Sequence, residues 1–331
     1  MIKKAVTAIA ILAVVTILGT GWWLFSTHEI TSPSVYVEPG DPFYRVVRKL
    51  KDAGAIRASW IFSRVGIVAG LEHRVAPGRY DFDRYVSNFD VLYKLWRADI
   101  VFVNVTIPEG YTLKQIEALL SRQCGTAESA FDSLVRDSQY LAGLGITAGF
   151  AEGYLFPETY RFRWGISAAE AVETMVGELF SGLDSSLTAR CRAIGLSLHQ
   201  ILTMASIVER EGVVHDEYPT IASVYFNRYR IGMRLQADPT VIYGMGGLDR
   251  ALMTSDYQYP SKYNTYLHKG LPPTPICSPG MQAIRATLYP DSTDYLYFVA
   301  DGTGRHIFNA SYQQHLLDVR RIRYQKRLLN K

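Results

Sequence analysis

Two glutamates one residue apart, Glu209 and Glu211, close an apolar run in this 331-residue chain. At about 100° per residue, Leu198, Ile201, Leu202, Ala205 and Val208 share one face of a helix. Glu209 falls inside that face, in line with Leu202 and Ala205. The helical period therefore predicts a carboxyl withdrawn from water. Glu211 lies about 160° away, toward Arg210 and Thr203, and is expected on the solvated side. Burial without a positive partner raises a carboxyl pKa, and a carboxyl that keeps its proton near neutral pH can act as a general acid. A carboxyl that ends the apolar stripe, or pairs with a buried arginine, would occupy the same position. Spacing alone leaves both readings open.

What the chain lacks narrows the chemistry. It carries no H-E-x-x-H, G-x-S-x-G or S-x-x-K motif and no phosphate-binding P-loop. Its seven histidines are scattered without ligand spacing, so neither a metal nor any other cofactor is expected. The glycines at 244, 246 and 247 neither follow a strand nor open a long helix, and are no dinucleotide fingerprint. Net charge is only +4 with no long basic run, which argues against nucleic acid. Three cysteines, Cys124, Cys191 and Cys277, leave one disulfide or three buried thiols equally open. An ordinary glycosidase uses two carboxyls flanking the bond. One suffices when the substrate supplies its own nucleophile.

The elements that position Glu209 follow from patterning. Lys3 and Lys4 precede an uncharged stretch, residues 5–25, that ends near Trp22 and Trp23. Twenty-one helical residues span about 31 Å, enough for a bilayer core, and the lysines place residues 1–4 in the cytoplasm. The stretch is long for a cleaved signal peptide, and no A-x-A site follows before Pro33, so a retained anchor is expected. Residues 26–34 read as a linker.

An internal echo comes next. Pro39-Gly40 is followed by Phe43, Val46 and Leu50, and Pro108-Glu109-Gly110 by Leu113, Ile116 and Leu120. Each copy follows a strand-like alternation, which predicts strand, turn and amphipathic helix twice. Further helices are expected over 59–68, 88–96, 128–144, 167–180 and 186–194, with Ser197 as N-cap of the Glu209 helix. Pro219 opens another helix, and Asp238-Pro239 reads as an N-cap and first-turn proline. Residues 152–160 and the Pro- and Gly-rich stretch 270–280 are expected to be shaped loops. A hairpin is expected over 295–308, before a basic last helix. Gln236, Asp238 and Asn227 suit hydrogen bonding to hydroxyl and acetamido groups.

The block Met204-Ala205-Ser206-Ile207-Val208-Glu209-Arg210-Glu211, with Val224-Tyr225-Phe226-Asn227-Arg228, the stretch 233–244, Tyr263-Asn264-Thr265-Tyr266, Gly270-Leu271-Pro272-Pro273 and residues 152–160, resembles the endolytic murein transglycosylases of the YceG-like family. The likeness covers nearly the whole chain. It implies an α+β fold: an N-terminal transmembrane helix (5–25), a small LysM-like module (35–100) and a catalytic domain (101–331). It also implies a bacterial inner-membrane protein facing the periplasm, and cleavage of nascent glycan strands between N-acetylmuramic acid and N-acetylglucosamine without added water. The family's catalytic glutamate matches Glu209. Asn227, Arg228, Gln236, Asp238, Tyr263, Asn264, Tyr266 and Tyr154 are expected to bind substrate. Implied partners are peptidoglycan strands, the membrane and penicillin-binding proteins of the elongation machinery. The rival readings are a water-using muramidase with Asp238 as base, and a glycan-binding scaffold without catalysis.

Overall fold

The structure, a computed structural model, describes residues 2–329. The chain is α+β and divides into two units. The first takes the chain to Asn104 and includes two later pieces, Gln123–Gly125 and Arg161–Ile166; the second comprises the rest.

The first unit holds α1 (Ile2–Phe25), β1 (His28–Glu29), β2 (Ser34–Val37), α2 (Phe43–Asp52), α3 (Ser59–Val68), β3 (Gly78–Asp81), β4 (Tyr85–Val86) and α4 (Asn88–Trp96). Over Lys3–Phe25, α1 is long and apolar enough to cross a membrane, and its apolar side chains face outward. Its end is pinned. The Trp23 indole donates to the Arg57 carbonyl at 3.1 Å, and the Asn88 amide donates to the Trp23 carbonyl at 2.9 Å. Residues expected as a linker are likewise fixed, because His28 and Glu29 pair antiparallel with Val86 and Tyr85.

Beyond them, β2 and β3 pair antiparallel from Ser34↔Asp81 to Val37↔Gly78 around the α2–α3 pair. Val35, Val46, Leu50, Phe62, Leu71 and Tyr80 fill the space between. The first echo copy thus folds as its spacing predicts, with Phe43, Val46 and Leu50 all buried. The chain then forms β5 (Phe102–Thr106), which pairs with β6 (Thr159–Arg163); the boundary between the units cuts through both strands.

In the second unit follow α5 (Leu113–Cys124), α6 (Glu128–Leu134), α7 (Ser138–Gly143), α8 (Ala168–Gly182), α9 (Ser185–Ile194), α10 (Leu198–Glu211), α11 (Tyr218–Arg230), α12 (Asp238–Gly244), α13 (Met281–Leu288), β7 (Tyr297–Ala300), β8 (His306–Asn309) and α14 (Tyr312–Leu329). The second echo copy also folds as predicted, with Leu113, Ile116 and Leu120 buried. Residues 128–144, expected as one helix, form two. Asp137 breaks them because its carboxylate turns back to accept the Gln139 and Tyr140 amides, capping α7. The stretch 270–280 is a loop as expected, but α13 behind it was not foreseen. It is eight residues long and buries Ala283, Ile284, Thr287 and Leu288.

At the centre lies α10. Ser197 accepts the Gln200 amide while the Gln200 side chain accepts the Ser197 amide, a complete capping box. Every residue from Ile201 to Val208 is buried, with α9, α11, α12 and α13 packed around the helix. A helix apolar on all sides belongs inside a core, not on its surface. The β7–β8 hairpin is tied to the start of α11 through the buried Glu217, which accepts the His306 amide at 3.2 Å and meets His306 Nδ1 at 2.8 Å. The three cysteines are buried free thiols.

Because Ser197 satisfies an orphan amide at the start of this central helix, Ser197→Ala is expected to cost about 1 kcal/mol, and Ser197→Gly only a few tenths. Urea unfolding midpoints of the two variants check this. Equal midpoints for Ala and wild type would show that the cap contributes nothing.

Candidate active site

Glu209 occupies the last turn of α10, where three helices of the second unit converge. The hydroxyl of Tyr218, the first residue of α11, donates to Glu209 Oε1 at 3.1 Å. The backbone N–H of Gly280, N-cap of α13, donates to Oε2 at 2.9 Å. Burial pushes the Glu209 carboxyl above its ordinary pKa, and the nearby Glu109 pushes the same way; the Gly280 amide, the Tyr218 hydroxyl and His215 oppose them without cancelling the rise. The carboxyl is therefore held in a fixed orientation with its proton retained to higher pH than in water.

Glu109 reaches this point through the Pro108–Gly110 turn. The Gly110 amide donates to the Ser278 carbonyl, and the Ser278 amide to the Tyr111 carbonyl, so the turn is stitched to the loop before α13. Gly110 adopts φ +77°, which glycine takes without strain. Gly280 has an ordinary φ of −73°, and its constraint is space. A Cβ there would lie 1.7 Å from Glu109 Oε1. A side chain at position 280 would displace the exposed Glu109 side chain from this position.

Beside Glu209 opens a cleft of about 570 Å³. Gly110 and Arg210 line it, and a Cβ on Gly110 would lie 3.9 Å from Glu209 Cγ. Glu152 lines it too, though only 2% exposed. Its Oε1 accepts the Leu113 amide at 3.0 Å, and its Oε2 accepts the Tyr243 hydroxyl at 2.7 Å. Burial pushes its carboxyl up to about 7 despite these donors.

The placement of Glu211 corrects the sequence reading. Its carboxyl is enclosed, not solvated, because α11 and the start of α12 cover the opposite side of α10. Tyr225 donates to Glu211 Oε1 at 2.8 Å, and the Asp238 amide also donates to it. Burial pushes this carboxyl up to about 7. The helical period gave the angle correctly but not what packs there.

Most polar residues chosen from sequence gather on the Glu211 side or in the scaffold. Asp238 is the first residue of α12 with Ala237 as the cap, so it is not the N-cap; its carboxylate accepts from Tyr266 at 2.6 Å and from Tyr257 at 3.4 Å. Arg228 is buried and donates to the carbonyls of Leu296 and Leu235. Asn227 donates to the carbonyls of Thr293 and Tyr295, and Asn264 to those of Tyr257 and Tyr259. Tyr154 is buried against His199. Tyr263 lines the cleft, its hydroxyl 2.9 Å from that of Thr274. Gln236 is exposed, at φ +52°.

Glu109, Glu152 and Tyr218 were not singled out from sequence. The signals available were the acidic residue inside the second Pro-Glu-Gly turn and the glutamate before Gly153, but neither spacing shows what it faces. Among the described residues, no group of three or more His, Cys, Asp or Glu side chains is placed to hold a metal ion.

A model of the YceG-like family matches residues 35–321. The chain belongs to the YceG-like family. Similar members include an endolytic murein transglycosylase of Streptococcus pneumoniae serotype 2 (strain D39 / NCTC 7466), 29% identical over 316 residues, covering 85% of this chain and 56% of the relative. An endolytic murein transglycosylase of Bacillus subtilis (strain 168) is 38% identical over 165 residues, covering 50% of this chain and 46% of the relative. This YceG-like chain thus spans about half the length of these relatives. A crystal structure described as that of a yceG-like protein from Listeria monocytogenes is 28% identical, with a TM-score of 0.61, covering 85% of this chain and 97% of that one.

Two expectations follow from the geometry. Glu211 binds its proton more tightly folded than unfolded, so its contribution to stability is complete below about pH 4 and is lost as pH rises through about 7. Glu152 acts with the same sign. Glu211→Gln should therefore reduce, not abolish, the stability decline between pH 5 and pH 8, by on the order of 1–3 kcal/mol. Denaturant titrations at the two pH values measure it, and parallel declines would refute it. Separately, Gly280→Ala should cost about 0.5–1.5 kcal/mol by pushing the Glu109 side chain out of its rotamer. In a Glu109→Ala background the cost should vanish, and additive losses would show that the two residues do not meet.

Proposed function

We propose that this protein is an endolytic lytic transglycosylase of peptidoglycan, with Glu209 as its single acid and base. The observation that carries this reading is the Glu209 carboxyl itself: proton-retaining, oriented by Tyr218 and Gly280, and set beside a cleft. The names of the relatives support the substrate class.

The chemistry balances without water. Glu209 gives its proton to the glycosidic oxygen of N-acetylglucosamine as the bond to C1 of N-acetylmuramic acid breaks through an oxocarbenium-like state. The C6 hydroxyl of the same muramoyl residue then attacks C1. Its proton passes to the Glu209 carboxylate, which restores the acid and leaves a 1,6-anhydro end. The muramoyl acetamido group can assist from the substrate side.

A water-using muramidase with Asp238 as base draws no support from the geometry, since that carboxylate is held by Tyr266 and Tyr257 on the Glu211 side of α10. Within the proposal, α1 is a single-pass anchor with residues 1–4 cytoplasmic, and the chain beyond α1 lies in the periplasm. The order β2–α2–α3–β3, with its antiparallel outer strands, supports a LysM-like role in glycan binding for the first unit. Synthases of the penicillin-binding type are the partners such a reaction calls for, since the strands cut are newly made.

Incubation of the full chain in detergent with uncross-linked strands, followed by mass spectrometry, tests the reading. Fragments one water lighter than hydrolysis products are expected, and Glu209→Gln should lower their rate by about 10²–10⁴-fold while the fold is retained. Reducing ends would make the enzyme a hydrolase, and near-normal activity of the variant would remove Glu209 from the mechanism.

A further inference from the structure

The cleft beside Glu209 carries more positive charge than acid catalysis requires. Its charged lining consists of Lys114, Arg136, Arg210, Glu152 and Asp249. Arg136 pairs with Asp132 at 2.8 Å and stacks over Phe150, but Lys114 and Arg210 form no ion pair with any described residue. Three cations thus line one concavity with Asp249 as the opposing surface charge, and the buried Glu152 adds no full negative charge there until the pH passes about 7. The floor is different in kind. Pro239, Ile242 and Ile276 are apolar, and at Gly246 and Gly247 the backbone is uncovered by side chains.

A neutral sugar chain explains the glycine wall and the apolar floor but not the unpaired cations. A small inorganic anion explains the cations but needs neither the floor nor a volume of about 570 Å³, which falls in the range of sites for whole organic ligands. A short peptide ending in carboxylates uses all three features. The position of the cleft decides where such a peptide comes from. Gly110 and Arg210 line it and flank Glu209, so its occupant lies next to the bond that Glu209 would cut.

Resting on the reaction proposed above, we infer that this cleft binds the carboxylate-bearing stem peptide of the muramoyl residue at the cleavage point, with Lys114 and Arg210 as the residues that read its charge. The enzyme then distinguishes strands that carry peptides from strands stripped of them, and salt weakens that distinction.

Two measurements on the full chain in detergent separate this inference from the reaction itself. The first is calorimetric binding of a soluble disaccharide tripeptide to the Glu209→Gln protein, which needs no turnover. Amidation of the peptide carboxyls is expected to weaken binding about tenfold, as is the double substitution Lys114→Gln with Arg210→Gln, while Lys114→Arg keeps most of it. Equal binding of the amidated probe, or equal binding by the double variant, overturns the inference. The second compares kcat/KM on uncross-linked strands with and without their peptides. Wild type should prefer peptide-bearing strands by about tenfold, and Lys114→Gln should lose that preference through KM while cutting bare strands at the wild-type rate. A loss on both substrates alike, or no preference in wild type, overturns the inference. Absence of cleavage by wild type on either strand counts against the proposed reaction, and the calorimetric result still decides the fate of the cleft.

Discussion

Burying a helix around its whole circumference leaves its last turn with a problem that the rest of the second unit solves. Residues Ile201–Val208 of α10 are wrapped by four other helices, yet the helix ends in two carboxylates. An unpartnered carboxylate in such a place is strongly disfavoured. Each is therefore met by one tyrosine hydroxyl and one backbone amide: Tyr218 and Gly280 for Glu209, Tyr225 and Asp238 for Glu211. These donors come from the starts of α11, α12 and α13 and the middle of α11. The arrangement of those helices and the protonation of the two glutamates are thus one constraint seen twice. Of the two, Glu209 lies beside the cleft lined by Gly110 and Arg210, whereas Glu211 is covered by Tyr225 and the start of α12.

The chain announces some of this and conceals the rest for physical reasons. The apolar period, the Ser197 cap and the alignment of Glu209 with Leu202 and Ala205 are local properties, and local properties survive into the fold. The environment of Glu211 is not local. A helical wheel states an angle and assumes water on one side, whereas here Tyr225 and the α12 start fill that side. Asp238 shows the same limit: its pairing with Pro239 looks like a cap, but its carboxylate is drawn to Tyr266, 28 residues away. Glu109 and Glu152 arrive from sequence positions more than fifty residues before Glu209, and nothing in their own neighbourhoods reveals the destination. The α13 helix was missed because eight residues after a Pro-Gly turn carry too short a period to register.

The repeated strand–turn–helix pattern shows how one local code serves two ends. In both copies a glycine with positive φ turns the chain, and the residues at +3, +6 and +10 are buried. Around Gly40 a Cβ would meet nothing within 4 Å. Around Gly110 it would touch Arg210 and approach Glu209, and the turn is hydrogen-bonded to the loop that precedes α13. Folding instructions and functional placement are therefore separable: the first is written within about a dozen residues, the second depends on what the turn docks against.

The pinned end of α1 has a mechanical meaning. Trp23 is bonded to Arg57 and to Asn88, and the next residues enter the β1–β4 pair, so no slack separates the long apolar helix from the rest of the first unit. A flexible tether would let that unit sample a hemisphere, with a local concentration set by chain statistics. This junction behaves instead as a bracket. With α1 in a bilayer, the tilt of the helix dictates the height and heading of the first unit above the lipid surface, and the unit acts as a gauge of fixed reach. Lengthening the junction by a few flexible residues would uncouple that height and heading from the tilt of α1.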